Sequence, residues 1–141
     1  MSGARSRARG QALQALYQWQ LTAQPPHDIA RLFLRDPEST GGVDEAYFAE
    51  LIREVPVHVE ELDGLLGAHL DRAIAEVDPV ERAILRIGAY ELRYRLEIGP
   101  RIVLNEAVEL AKRYGGEAGH KFVNAVLDGV AKVVRAPGGR P

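Results

Sequence analysis

Apolar residues recur along this chain at intervals of three and four, and no stretch sustains an alternation of apolar and polar positions. The pattern predicts helices throughout and no sheet. Ala8, Ala12, Leu13, Ala15, Leu16 and Trp19 gather on one face of a helix over about residues 4–21, and that face is expected to enter a core. Arg7, Gln11, Gln14 and Gln18 line the opposite side. Pro25 and Pro26 break the pattern, and Asp28 is placed to cap a short helix carrying Ile29, Leu32, Phe33 and Leu34. The segment 36–42, DPESTGG, has the composition of an exposed loop.

From Val43 onward Phe48, Leu51, Ile52, Val55, Val59, Leu62 and Leu66 keep helical spacing across Pro56. Proline removes a backbone donor and crowds the preceding turn, so the stretch is one helix kinked at Pro56 or two helices that meet there. A short helical piece around 71–76 precedes the clearest start signal in the chain. Asp78 can act as N-cap, Pro79 as the first helical residue and Glu81 as the acid of a capping box. The helix that follows, to about Leu96, is apolar on two sides, with Val80, Ile84, Ile87 and Tyr94 on one and Leu85, Leu92 and Leu96 on the other. It is expected at the centre of the core. A helix over 103–114 is stopped by Gly115 and Gly116. A last helix, about 117–135, buries Val123, Val126, Leu127, Val130 and Val134 and exposes Glu117, Lys121, Asn124 and Asp128, while 136–141 form a flexible tail.

Charge adds an asymmetry that the apolar pattern does not show. All 20 Asp and Glu lie between Asp28 and Asp128, together with only 12 of the 18 Lys and Arg, so the middle carries −8 while both ends are purely basic. A basic end suits nucleic acid and an acidic body suits a basic protein, although short basic tails also occur on proteins that bind neither. Arg5, Arg7 and Arg9 open the first helix, where the macrodipole disfavours cations. Such a start is either a site for an anion or a solvated ragged end. The 141 residues suffice for one domain with a real core.

Catalytic signals are thin. With no cysteine the chain has no disulfide, thiolate nucleophile or Cys-ligated zinc, and an intracellular location is the easier reading. His27, His58, His69 and His120 lack metal-ligand spacing, Ser and Thr are few, and there is no Walker or dinucleotide-binding glycine pattern. No apolar run is long enough to span a bilayer and no signal peptide opens the chain. The expectation is a non-enzyme without cofactor or metal.

Three stretches together resemble the bacterial NusB family of transcription antitermination factors. ARSRARGQALQALYQWQL (4–21) resembles the family's arginine-rich first helix, VERAILRIGAYEL (80–92) its central helix, and IVLNEAVELAKRYGGEAGHKFVNAVLD (102–128) its C-terminal signature. With YFAEL (47–51) and LDGLL (62–66) between them, the likeness covers nearly the whole chain. It implies an all-α single domain of six to seven helices in two small bundles, about 4–75 and 76–135. It further implies a cytoplasmic factor that binds the boxA element of single-stranded nascent RNA together with NusE, a small-subunit ribosomal protein. That complex serves the transcription elongation complex on ribosomal RNA operons.

By the same resemblance, RNA contacts fall on Arg5, Arg7, Arg9, Gln14 and Tyr17, joined by Lys121, Phe122 and Asn124. Arginine pairs with phosphate through its fork, Gln and Asn reach base edges, and an aromatic ring offers a stacking platform. Phe122 lies at the margin of an apolar stripe and suits core packing equally, Trp19 is assigned to packing, and Lys121 and Asn124 suit an ordinary wet face. Glu81 is the candidate for the NusE interface, although its capping role alone explains it. Ser6 stands where members often carry another arginine, and Ala125 where KFVNGVLD has glycine. A helical protein–protein adaptor without RNA specificity is the alternative reading. The third class is an enzyme, because NusB-like folds also occur fused to RNA cytosine methyltransferases; this chain lacks the cysteines those enzymes use.

Overall fold

The computed structural model describes residues 3–136, apart from the side chain of residue 39, so the expected tail lies outside the described residues from 137 onward. Among the described residues there are eight α-helices, α3 being a single turn, and one 3-10 turn. They are α1 (Gly3–Thr22), α2 (Pro26–Arg35), α3 (Pro37–Thr40), α4 (Glu45–Val57), α5 (Val59–Gly67), the 3-10 turn (Ile74–Glu76), α6 (Pro79–Tyr94), α7 (Pro100–Tyr114) and α8 (Gly119–Val134). The fold is all-α, as the periodicity requires, and the seven longer helices match the number expected.

The chain parts into two compact units, 1–57 and 58–141. In the first, α1 packs on α4 and α2, and α2 packs on α4. Leu13, Leu16, Ile29, Phe48, Leu51, Ile52 and Val55 form its core, with the Phe33 and Phe48 rings 5.9 Å apart. In the second, α6 is central and packs on α5, α7 and α8. Its buried positions run almost all round, from Ala83 to Leu92, and include Glu91 at 1 % exposure. Gly88 lets α8 pack close, since a Cβ there would sit 2.5 Å from Leu127 Cδ1.

Helix ends follow local chemistry. Asp78 caps α6 as expected, its Oδ2 accepting from the Val80 and Glu81 N–H groups at 3.0 and 3.2 Å, with Pro79 as first residue. At the other end of α6, where the dipole favours a cation, Arg135 donates to the carbonyls of Leu92 (2.8 Å), Glu91 and Arg95 (both 3.2 Å). Around Pro56 two helices meet: α4 stops at Val57 and α5 starts at Val59, because proline cannot extend the ladder of hydrogen bonds.

Several expectations are corrected. The boundary between units falls after Val57 rather than near residue 75, because α5 packs against α6 and α8. Asp28 does not cap α2. That helix starts earlier, at Pro26, whose ring presets the helical φ, and Asp28 sits inside its first turn, paired with Arg31 at 2.9 Å. Within the expected loop, Asp36 caps the single turn α3 through its Oδ1 and the Glu38 N–H, at 3.0 Å. Leu96 is 58 % exposed, beyond the end of α6, and Trp19 is only half-buried.

Candidate nucleic-acid interface

The first turn of α1 contains no acidic residue, and its three arginines part in different directions. Arg5 and Arg9, one turn apart, turn toward α4, where their guanidinium carbons lie 4.4 and 5.6 Å from the centre of the Tyr47 ring. Tyr47 is 3 % exposed and so is Arg9, while Arg5 keeps part of its surface. Cation–π attraction in a desolvated setting, about 2 kcal/mol, outweighs the macrodipole penalty of about 0.3–1 kcal/mol. Arg9, which the resemblance assigns to RNA, is buried here between α1 and α4.

Arg7 points the other way and is exposed. Its Nη1 donates to the Gly42 carbonyl at 3.1 Å, holding the 41–44 loop against the start of α1, and the Asp44 N–H bonds the Ala4 carbonyl at 3.0 Å in the same clasp. Gly42 has φ +71°, a left-handed conformation that suits glycine. Gln14 and Tyr17 are exposed on the same broad side of α1, within about 80° of arc from Arg7 and over about 15 Å of helix length. Among the described residues Gln14 Nε2 makes only a long contact, 3.4 Å, with the Gly10 carbonyl of its own helix.

In the second unit, α8 presents Lys121 and Asn124 to solvent and leaves Phe122 half-buried. The core stripe of α8 is as expected, with Val123, Val126, Leu127, Val130 and Val134 all buried. One guanidinium, that of Arg72, lies 4.9 Å from the centre of the Phe122 ring. Glu81 is half-buried, and its Oε2 lies 2.5 Å from where a Cβ on Gly119 would be, so the carboxylate sits against the first residue of α8. Burial, and secondarily the charge of Asp78, raise its pKa, while Arg72 opposes them.

The residues that sequence reasoning missed are those supplied from afar in the chain. Tyr47, Gly42 and Arg72 carry no local signal for these roles, because each meets its partner only when separate elements pack. Tyr47 did stand in a recognised apolar stretch, yet nothing in its spacing pairs it with Arg5 and Arg9.

Comparison with known proteins bears on what this geometry serves. A family model described as the NusB family matches residues 6–132. The transcription antitermination protein NusB of Nitrosococcus oceani is 58% identical over 136 residues, covering 96% of this chain and 90% of that protein. Its counterpart from Marinobacter nauticus is 46% identical over 140 residues, covering 99% and 88%. Among solved structures, a crystal structure of antitermination factors NusB and NusE in complex with double-stranded RNA superposes with a TM-score of 0.78. It is 30% identical and covers 94% of this chain and 98% of that one. NusB of T. maritima gives a TM-score of 0.73 at 29% identity, covering 94% and 93%.

Proposed function

The chain belongs to the NusB family, and from that premise we propose that it is an RNA-binding transcription antitermination factor. It binds boxA RNA with NusE and supports processive transcription of ribosomal RNA operons, acting in the cytoplasm on the elongation complex. The activity is binding, with no catalytic step. The observation that carries this reading is the exposed stripe of Arg7, Gln14 and Tyr17 on α1, a phosphate partner, an amide and a ring along one side of a helix.

Arg5 and Arg7 contribute phosphate contacts, Gln14 reaches a base edge and Tyr17 stacks. Arg9 is a positioning residue, keeping Tyr47 and hence Arg5 in place. On α8, Lys121 adds a phosphate contact and Asn124 a base contact, with Phe122 as a partial stacking platform. Glu81 stands at the NusE interface or holds the start of α8. The RNA is unpaired, because amide side chains read Watson–Crick edges only where those edges are free. The NusB relative solved with NusE holds double-stranded RNA, so strandedness is settled by competition between a boxA strand and its duplex.

Titration of a boxA single strand at several salt concentrations tests the reading. Three phosphate contacts give a log–log slope of about −2, at about −0.7 each, and Arg7→Ala makes the slope shallower by one such step. Scrambled RNA should bind more weakly. The second reading, a protein–protein adaptor, is favoured by the inward turn of Arg9 and by the hold of Tyr47 on Arg5. Undiminished NusE binding with no measurable affinity for boxA RNA would select it.

A further inference from the structure

Arg72 stands in the turn between α5 and the 3-10 turn, far in sequence from every residue assigned to RNA above. Its guanidinium lies over the Phe122 ring, 4.9 Å from the centre. Its Nε donates to Asp71 Oδ1 at 2.8 Å, and its side chain keeps 40 % of its surface in solvent. Nη1 and Nη2 meet no acceptor among the described residues. The side chain is therefore fixed in plane at two points, ring and carboxylate, and presents the remaining N–H groups of a planar fork outward. The ring beneath it belongs to α8, the helix that also carries the exposed Lys121 and Asn124.

Such a fork takes two parallel acceptors, of a phosphate or of a base edge. Neighbouring charge decides between them. Asp71 is hydrogen-bonded to the group, and Glu81 and Glu76 act on it through space. A phosphate brought to this fork meets three carboxylates, whereas the acceptors of a neutral base meet no such repulsion from a full charge. Guanine offers two acceptors side by side, N7 and O6, and takes the specific contact that arginine makes most often; unpaired cytosine, with N3 and O2, is the competing base.

Resting on the RNA-binding reading above, we infer that Arg72 is a base-reading residue that takes the N7 and O6 edge of an unpaired guanine, with Phe122 and Asp71 holding its plane. Lysine at this position keeps the charge and the ring contact but loses the fork, so charge and geometry can be separated.

The test uses the full chain with NusE and boxA RNAs in which each guanosine in turn is replaced by 7-deazaguanosine, which has no N7 acceptor. One replacement should weaken wild-type binding by about 5- to 150-fold, the span of a bidentate contact. Arg72→Lys should lose affinity for unmodified RNA within the same span, keep the wild-type salt slope and thermal stability, and be indifferent to that replacement. Three results each overturn the assignment: wild-type affinity in Arg72→Lys; equal losses in Arg72→Lys on every RNA, which would make Arg72 a prop for Phe122; or, in the uncharged Arg72→Gln, a salt slope shallower by about 0.7 with no guanine dependence, which would make it a phosphate contact. If the wild-type chain with NusE binds no boxA RNA, the RNA-binding reading itself falls and takes this assignment with it. If wild type binds and only the Arg72 arm fails, the assignment falls alone.

Discussion

At single positions the structure sets backbone conformation against side-chain space, and the two pull in opposite directions at Ala23 and Gly88. Ala23 ends α1 with φ +59°, its N–H bonded to the Trp19 carbonyl at 2.9 Å, a left-handed turn that a side chain makes costly. Ala23→Gly should therefore stabilise the protein by about 0.5–1 kcal/mol, the left-handed penalty less the added freedom of glycine when unfolded. Gly88 lies in α6, where alanine would raise helix propensity, yet its Cβ would meet Leu127 at 2.5 Å. Leu127 is fully buried, so its methyl groups move only by displacing other core atoms, and Gly88→Ala should destabilise by about 1–3 kcal/mol, as overpacked cores do. Urea unfolding of both variants reads the two signs, and a more stable Gly88→Ala would mean that α6 and α8 are packed more loosely than described. The arginines of α1 teach a related lesson. Their position breaks a helix-dipole rule, but Tyr47 accounts for two of them on structural grounds alone, and only Arg7 stays fully on the exposed side.

Between elements, the tie of α5 to α6 combines ion pairs with aromatic rings. Arg86 grips Asp63 through two bonds, 2.9 and 2.8 Å, and Glu61 accepts from the Tyr94 hydroxyl and from Arg93, the latter at 3.0 Å. His58, at the start of α5, lays its ring 4.5 Å from that of Tyr94. The Tyr94 hydrogen bond, with help from Arg93 and against a smaller cost of burial, lowers the Glu61 pKa below its ordinary 4.5. A carboxylate with a lowered folded pKa stabilises fully above its unfolded value, and that contribution is lost as the pH falls through the folded one. Glu61→Gln should thus be less stable than wild type near neutrality, by less than about 1 kcal/mol because the group is solvent-screened, and the gap should close as the pH drops below 4.5. Thermal unfolding across that range measures it; a gap that persists at low pH would assign the loss to packing rather than charge. Elements of this kind were legible wherever one local rule decides. Asp78 and Pro79 marked the start of α6, and the valine stripe marked the buried side of α8. Pairings such as Glu61 with Tyr94, 33 residues apart, were not, since neither residue carries a sign of the other until the helices pack. The boundary near Val57 escaped for the same reason: apolar spacing runs straight through Pro56, and only the allegiance of α5 to α6 and α8 reveals the break.

For the whole molecule, the distribution of charge makes a claim that no single contact makes. Arg5, Arg7, Arg9, Lys132, Arg135 and Arg140 lie outside the span that holds every carboxylate side chain, and the middle carries −8. Burial removes Arg9 from the field available to a ligand, and Arg135 spends its donors on the end of α6. The long-range attraction for RNA is thereby narrowed to fewer cations than the sequence count suggests, whereas many of the carboxylates remain at the surface. If the acidic middle meets NusE as a basic protein, oppositely charged surfaces steer the encounter, and salt should act mainly on the rate of association. Raising ionic strength from low to physiological shortens the Debye length from about 30 Å at 0.01 M to about 8 Å at 0.15 M. Stopped-flow association of the chain with NusE, without RNA, should slow by about tenfold or more over that range, while the dissociation rate changes by less than about threefold. Arg5→Gln with Arg7→Gln should leave this salt dependence in place while making the RNA slope shallower by about 1.4, because the two partners draw on opposite charges. An association rate indifferent to salt would mean that NusE docks through apolar contact alone, and that the acidic middle serves something other than partner recognition.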